Sequence, residues 1–269
     1  MSDGPNLIAI NVGNSRTQVG RFVDGKLEDA STLTNDSPSN IVQRVLDDWQ
    51  QIADKPQAAI ALASVNETVA DPLRSALADQ LAQEIYVVGE DLPVPIGRQL
   101  DPETITGMDR LLDAAAAYDT VKQACVVVDA GTAVTVDFVD GEGTFHGGAI
   151  APGARMQLQS LHEHTATLPE LDFRSPDDEA FGRSTAQAML QGVFHGIRGT
   201  VWKLTEQYAE RYGAYPMVIA TGGDAQTLFG NDELIDRIVP ELALLGINAA
   251  ARYALASTDS MESDDDTTQ

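Results

Sequence analysis

VVVDAGTAVTVDFVDG, residues 126–141, reads as a buried apolar strand, a polar turn around Gly131, an alternating strand and an Asp-Gly turn. LIAINVGNSRTQVGRFVDG, residues 7–25, spells the same succession. Gly13 corresponds to Gly131 at an offset of 118 residues, and Asp24-Gly25 to Asp140-Gly141 at an offset of 116. The copies therefore differ by two residues within the hairpin. A period of this length exceeds any solenoid unit and has the size of a domain. The repeat predicts two similar α/β domains.

Outward from the hairpins, each half continues with alternating helix and strand. In the first half, strands are expected at 7–12, 16–23, 26–33, 58–64 and 84–89. Helices are expected between Ser37-Pro38 and Lys55-Pro56, over 66–83 and over 106–121, the first marked by Ile41, Val45 and Trp49 at helical spacing. In the second half, strands fall near 124–130, 133–139, 144–150 and 216–223. Helices fall near 153–165, 184–211, 224–228 and 241–256, with a short apolar stretch at 237–239. Each half reads βββαβα. The expected division is 1–118, 119–256 and an acidic tail, 257–269, with too little apolar surface to order itself.

Composition narrows the function. The 269 residues are 43% hydrophobic, enough for one large core or two modest ones. A net charge of -24 repels phosphate backbones and anionic lipid, so neither nucleic acid nor membrane is an expected partner. No apolar run is long enough to span a bilayer, and the N-terminus lacks the basic and apolar regions of a secretory signal. The single Cys125 lies in an apolar strand, reads as a small buried residue and fits a reducing compartment.

The matched turns point to chemistry. A turn that presses main-chain N–H groups against phosphate oxygens has no room for a side chain at the contact, which Gly13 and Gly131 satisfy. Asn14, Ser15 and Thr132 add short donors, Asp129 can face a cation, and Gly222-Gly223 ends another strand. The pattern predicts two domains facing across a nucleotide cleft. The competing reading is a pair of ordinary hairpins with glycine at a left-handed position. Thr106-Gly-Met-Asp109 also fits a capping box, Thr185 a helix N-cap, and Asp129 a mere brace for its turn. His162-Glu-His164 lacks zinc-site spacing, and His195 reads as packed within a helix.

The blocks INVGNSRT (10–17), TGMDR (106–110), VVDAGTAVTVD (127–137), GGAIAPGARM (147–156), GRSTAQAMLQGVFHG (182–196) and ATGGDA (220–225) occur in this order. Together they resemble the type III pantothenate kinases, of the acetate-kinase, sugar-kinase, Hsp70 and actin superfamily. The resemblance implies two actin-like (ribonuclease-H-like) α/β domains in a cytoplasmic homodimer. It implies transfer of the γ-phosphoryl of ATP to pantothenate, the first step toward coenzyme A, with Mg2+ or another divalent metal and with K+ or NH4+. By resemblance, Asn11, Val12, Gly13, Asn14, Ser15, Arg16, Thr17 and Gln18 form the ATP phosphate loop. Asp109 is the general base, and Gly107, Met108 and Arg110 line the pantothenate site, Arg110 clamping the substrate carboxylate. Asp129 holds the monovalent cation, Thr132 touches ATP, Thr185 touches substrate, and Gly222 and Gly223 pass the adenosine.

Two positions depart from the family. Asn11 stands where Asp is usual, which predicts weaker binding of a hard cation. Leu100 stands where many members have Tyr, seven residues before Gly107, which removes a polar substrate contact. Asn11 keeps open a second reading, a weakly catalytic, nucleotide-binding regulatory relative. A kinase acting on a sugar or acetate is a third.

Overall fold

The computed structural model describes residues 4–81 and 83–265, excepting the side chains of 258–265. In chain order the elements are β1 (Asn6–Val12), β2 (Arg16–Val23), β3 (Lys26–Thr34), α1 (Pro38–Trp49), β4 (Ala58–Ser64), α2 (Glu67–Gln80), β5 (Ile85–Val87), β6 (Gly97–Arg98) and α3 (Met108–Val121). They continue as β7 (Cys125–Ala130), β8 (Ala133–Val139), β9 (Thr144–Pro152), α4 (Ala154–Glu163), α5 (Thr185–Tyr212), β10 (Met217–Thr221), α6 (Ala225–Phe229), β11 (Arg237–Ile238) and α7 (Leu242–Asp265).

The repeat read from the hairpins is present in the sheets. One sheet has the order β3-β2-β1-β4-β5, the other β9-β8-β7-β10-β11 with β6 added beyond β9. In both, the first three strands are antiparallel neighbours and the last two join in parallel. Both outer hairpin pairs slip register once, at Arg21/Phe22 and at Asp137/Val139. This is the architecture of two actin-like α/β domains.

The chain divides into two compact units, residues 1–96, 105–119 and 241–269, and residues 97–104 and 120–240. In the first, Ile8, Ile10 and Val12 of β1 pack with Ile60 and Leu62 of β4 under Ile41, Val45, Leu73 and Leu77 of α1 and α2. The opposite face of β1, Leu7 and Ala9, is equally buried, as a central strand requires. In the second, Val126, Val128 and Val218 pack with Leu190, Val193 and Ile197 of α5. Cys125 is buried there, and burial pushes its thiol up to about 12.

Three expectations differ from what is found. Residues 241–256 were expected in the second domain, yet α7 belongs to the first unit. Leu244 packs on Gly20, Gly246 lies against the Leu112 backbone, and Asn248 Nδ2 donates to the Gly25 carbonyl at 3.1 Å. Residues 257–265 were expected to be disordered but continue α7, with no glycine or proline to stop the helix; 266–269 lie outside the described residues. The two Asp-Gly turns also differ. Asp24 (φ 50°) and Gly25 (φ 74°) form a two-residue turn of the mirror-image type that suits hairpin twist. In the second hairpin the left-handed residue is Gly143 (φ 79°), and the Asp140 carboxylate accepts from Glu142 N (3.0 Å) and Thr144 N (2.8 Å).

Candidate active site

In the first unit, the turn from β1 to β2 carries the residues 11–18. Val12 and Thr17 are fully buried, whereas Asn14, Ser15 and Arg16 are exposed. Gly13 spends its own N–H on the Arg16 carbonyl, at 2.9 Å. Gly131 does the same with the Ala133 carbonyl, at 2.9 Å. Neither glycine is left-handed, so the alternative of ordinary hairpins with glycine at a left-handed position is corrected. Gly13 is needed because a Cβ would lie 3.0 Å from the Arg16 oxygen, tighter than a relaxed contact. What the turn offers a ligand is its exposed 14–16 segment.

That segment is held by a residue the sequence did not single out. Asn35, just past β3, donates through Nδ2 to the carbonyls of Gly13 (2.9 Å) and Asn14 (3.2 Å). Its Oδ1 accepts from Thr17 Oγ1 at 2.8 Å, and its N–H reaches the Ser15 carbonyl at 3.2 Å. Asn66 adds a bond to the Asn14 carbonyl, at 3.4 Å. Asn11 Nδ2 donates to Gln18 Oε1 across the hairpin, at 3.3 Å.

Also in the first unit, α3 begins at Met108, which places Asp109 in its first turn. The capping box expected from Thr106 does not form. Thr106 Oγ1 is buried without a partner, and Asp109 Oδ1 instead accepts from the Arg110 N–H at 2.8 Å. This conformation needs glycine at 107, because a Cβ there would lie 2.5 Å from Asp109 Oδ1. The Gly-x-Asp spacing thus has a steric cause. Met108 turns toward Gly89, a left-handed residue (φ 95°) whose missing side chain leaves the space that the thioether methyl fills. Asp109 and Arg110 are half-buried.

In the second unit, three loops interlock at the C-terminal ends of β7 and β10. Gly222 (φ 94°) lies against the Asp129 carboxylate and the Ala130 backbone. Gly153 lies against the carbonyls of Gly131 and Thr132, and its N–H donates to Thr132 O at 3.0 Å. The Asp224 N–H donates to the Ala130 carbonyl at 2.9 Å. The structure thus brings Asp129, Thr132, Gly222 and Gly223 together, with Thr132 and Gly223 exposed. It adds Arg155 and Asp224, joined by an ion pair that sequence reading missed because the partners lie 69 residues apart.

Thr185 sits elsewhere on this unit. Its neighbour Ser184 is the N-cap of α5, accepting from Gln187 N at 3.2 Å, so the cap alternative for Thr185 is removed. Thr185 is exposed and lines an apolar groove of about 690 Å³ between α4 and α5, with Met156, Leu161, Leu168, Met189 and Val193. Leu100 packs toward Gly147, a Cβ on which would lie 3.1 Å away. His195 is exposed, edge-on to Phe194, rather than packed. Among the described residues, no group of three or more His, Cys, Asp or Glu side chains converges to hold a metal ion. No helix among them is long and apolar enough to cross a membrane.

The family model for type III pantothenate kinase matches residues 7–207. A type III pantothenate kinase from Dehalococcoides mccartyi is 30% identical over 251 residues, covering 90% of this chain and 93% of that protein. One from Rhodopirellula baltica is 35% identical over 248 residues, covering 82% and 89%. Among solved structures, a Campylobacter jejuni protein described as a Baf family transcriptional activator superposes with TM-score 0.60 at 21% identity, covering 94% of this chain and 99% of that one. Component A of the Acidaminococcus fermentans (R)-2-hydroxyglutaryl-CoA dehydratase gives 0.52 at 14%, covering 93% and 98%. At these identities the two structures speak for the fold.

Proposed function

The chain belongs to the type III pantothenate kinase family, and on that premise we propose that it transfers the γ-phosphoryl of ATP to a hydroxyl of pantothenate through Asp109. The product is 4′-phosphopantothenate, which enters coenzyme A synthesis.

The observation that carries this reading is the geometry of Asp109. Phosphoryl transfer to an alcohol needs alignment, positive charge over the phosphates and an acceptor for the hydroxyl proton. Oδ1 is engaged by the Arg110 N–H and pinned over Gly107. Oδ2 is left to accept the proton. Arg110, next in the helix, holds the pantothenate carboxylate, and Gly107 and Met108 complete that wall. In the first unit, Asn11 to Gln18 take the phosphates, chiefly through the exposed Asn14, Ser15 and Arg16. In the second, Asp129 takes K+ or NH4+, Thr132 contacts ATP, and Gly222 and Gly223 pass the adenosine.

Asn11, in the phosphate turn, would be the protein ligand of a magnesium ion held otherwise by phosphates and water, as that ion prefers. When bound, magnesium supplies neutralisation of the β- and γ-phosphate charge.

Homodimer formation belongs to the same reading. The α4–α5 groove presents Met156 (44% exposed) and Leu161 (36% exposed) around Thr185, a surface a second copy would cover. Thr185 would then meet substrate at that interface. A buried, unreactive thiol fits a cytoplasmic setting.

Incubation of the purified chain with ATP, magnesium, potassium and pantothenate should give 4′-phosphopantothenate by mass spectrometry. Acetate and glucose should not replace pantothenate. ATP bound without product under any metal or salt would favour the regulatory reading, to which Asn11 points.

A further inference from the structure

We propose that Arg155 is a further phosphate-binding residue of this kinase, presented by the buried carboxylate of Asp224; the inference rests on the nucleotide reading of the second unit's loops. Asp224 is 3% exposed at its side chain, and Arg155 is 60% exposed. A single guanidinium nitrogen, Nη1, reaches both carboxylate oxygens, at 2.7 and 2.6 Å. An arginine used only to satisfy a buried aspartate would bring two nitrogens to it side by side, the fork geometry that the two groups favour. Here one nitrogen is anchored and the rest of the fork is turned away. Among the described residues Nε and Nη2 have no partner, which leaves three N–H donors for a ligand on a side chain that is 60% exposed.

The position of this fork gives it a ligand. Asp224 is tied by its N–H to Ala130, next to Asp129, at 2.9 Å. Arg155 lies two residues past Gly153, whose backbone rests on Gly131 and Thr132. The guanidinium therefore rises from the same loop cluster as Asp129, Thr132 and Gly222. The need for it is electrostatic. A chain of net charge -24 must hold a polyanion, and Gly131, the expected phosphate contact on this unit, spends its N–H inside its own turn. Arg155 is the cation these loops carry, and a planar donor fork suits two oxygens of one phosphate or of adjacent phosphates. Asp224 is then a positioning residue, acting through Arg155.

The test is nucleotide binding, which does not depend on the acceptor. Dissociation constants for adenosine and for the nonhydrolysable ATP analogue adenylyl imidodiphosphate with magnesium are measured by calorimetry for wild type, Arg155→Ala, Arg155→Lys and Asp224→Asn. Arg155→Ala should weaken the analogue roughly tenfold to a hundredfold and leave adenosine within about twofold. Arg155→Lys should recover part of the loss, and free guanidinium added to Arg155→Ala should recover more. Asp224→Asn keeps the size and the packing of the side chain and should weaken the analogue by several-fold, less than Arg155→Ala. An analogue constant within about twofold of wild type in Arg155→Ala overturns the proposal, as does an equal loss for adenosine. Absence of pantothenate phosphorylation, with analogue binding still dependent on Arg155, would overturn the acceptor assignment and uphold this one.

Discussion

Replacing Gly107 with alanine separates catalysis from folding. A Cβ at 107 would lie 2.5 Å from Asp109 Oδ1, about 0.9 Å inside the 3.4 Å at which ordinary contact begins. Backbone strain does not enter, because Gly107 is not left-handed. The carboxylate is the movable partner, and it must rotate off the Arg110 N–H to make room. Fold stability should therefore change by no more than about 1 kcal/mol in either direction. A displacement of about 1 Å at a reacting group costs on the order of 10²-fold in rate. ADP release coupled to NADH oxidation, at saturating pantothenate and ATP, should show kcat down by roughly that factor, with KM for ATP within about twofold. In an Asp109→Asn background the same change should cost little more, since both act on one carboxylate. A Gly107→Ala enzyme within about threefold of wild type in kcat would refute the reasoning, because the crowded oxygen would then not be the reacting group's support.

Asn11→Asp restores a carboxylate where the chain has an amide, and should lower the magnesium concentration for half-maximal rate; an unchanged titration would show that this side chain does not face the metal. Asn35→Ala leaves the buried Thr17 hydroxyl without its acceptor and frees the Gly13 and Asn14 carbonyls. It should cost about 1–3 kcal/mol in denaturant unfolding and raise KM for ATP. Cys125, its thiol pushed up to about 12 by burial, stays protonated at pH 8 and should react with a disulfide reagent there only after unfolding. Rapid reaction of the native protein would contradict its place in β7.

Much of the fold was legible in the sequence because it is written in local periods. Apolar runs flanked by Gly and Asp-Gly turns locate β1 to β3 and β7 to β9 within two residues, and the duplicated turns predict two similar domains, whose shared strand order the structure supplies. What was hidden depends on partners far along the chain. The packing of α7 on Gly20 and Leu112 leaves no trace in its own periodicity. β6 is a two-residue strand inside a proline-spaced loop, paired to Thr144 and Phe145. At the candidate site, motif residues could be listed, but not the reasons for them. Gly107 makes room for a carboxylate, Gly222 for Asp129, and Gly153 for the Gly131 and Thr132 carbonyls. Asn35 and the Arg155–Asp224 pair lay outside every local pattern, although Arg155 and Asp224 stand within blocks that resemble the family.

The central claim is that Asp109 takes the proton from the pantothenate hydroxyl. The most direct measurement is kcat for Asp109→Asn, which retains the Oδ1 acceptor for the Arg110 N–H and so keeps the helix start. The account predicts a fall of roughly 10²-fold or more with an unchanged melting temperature. A fall of less than about threefold would contradict it and leave Asp109 serving only the first turn of α3.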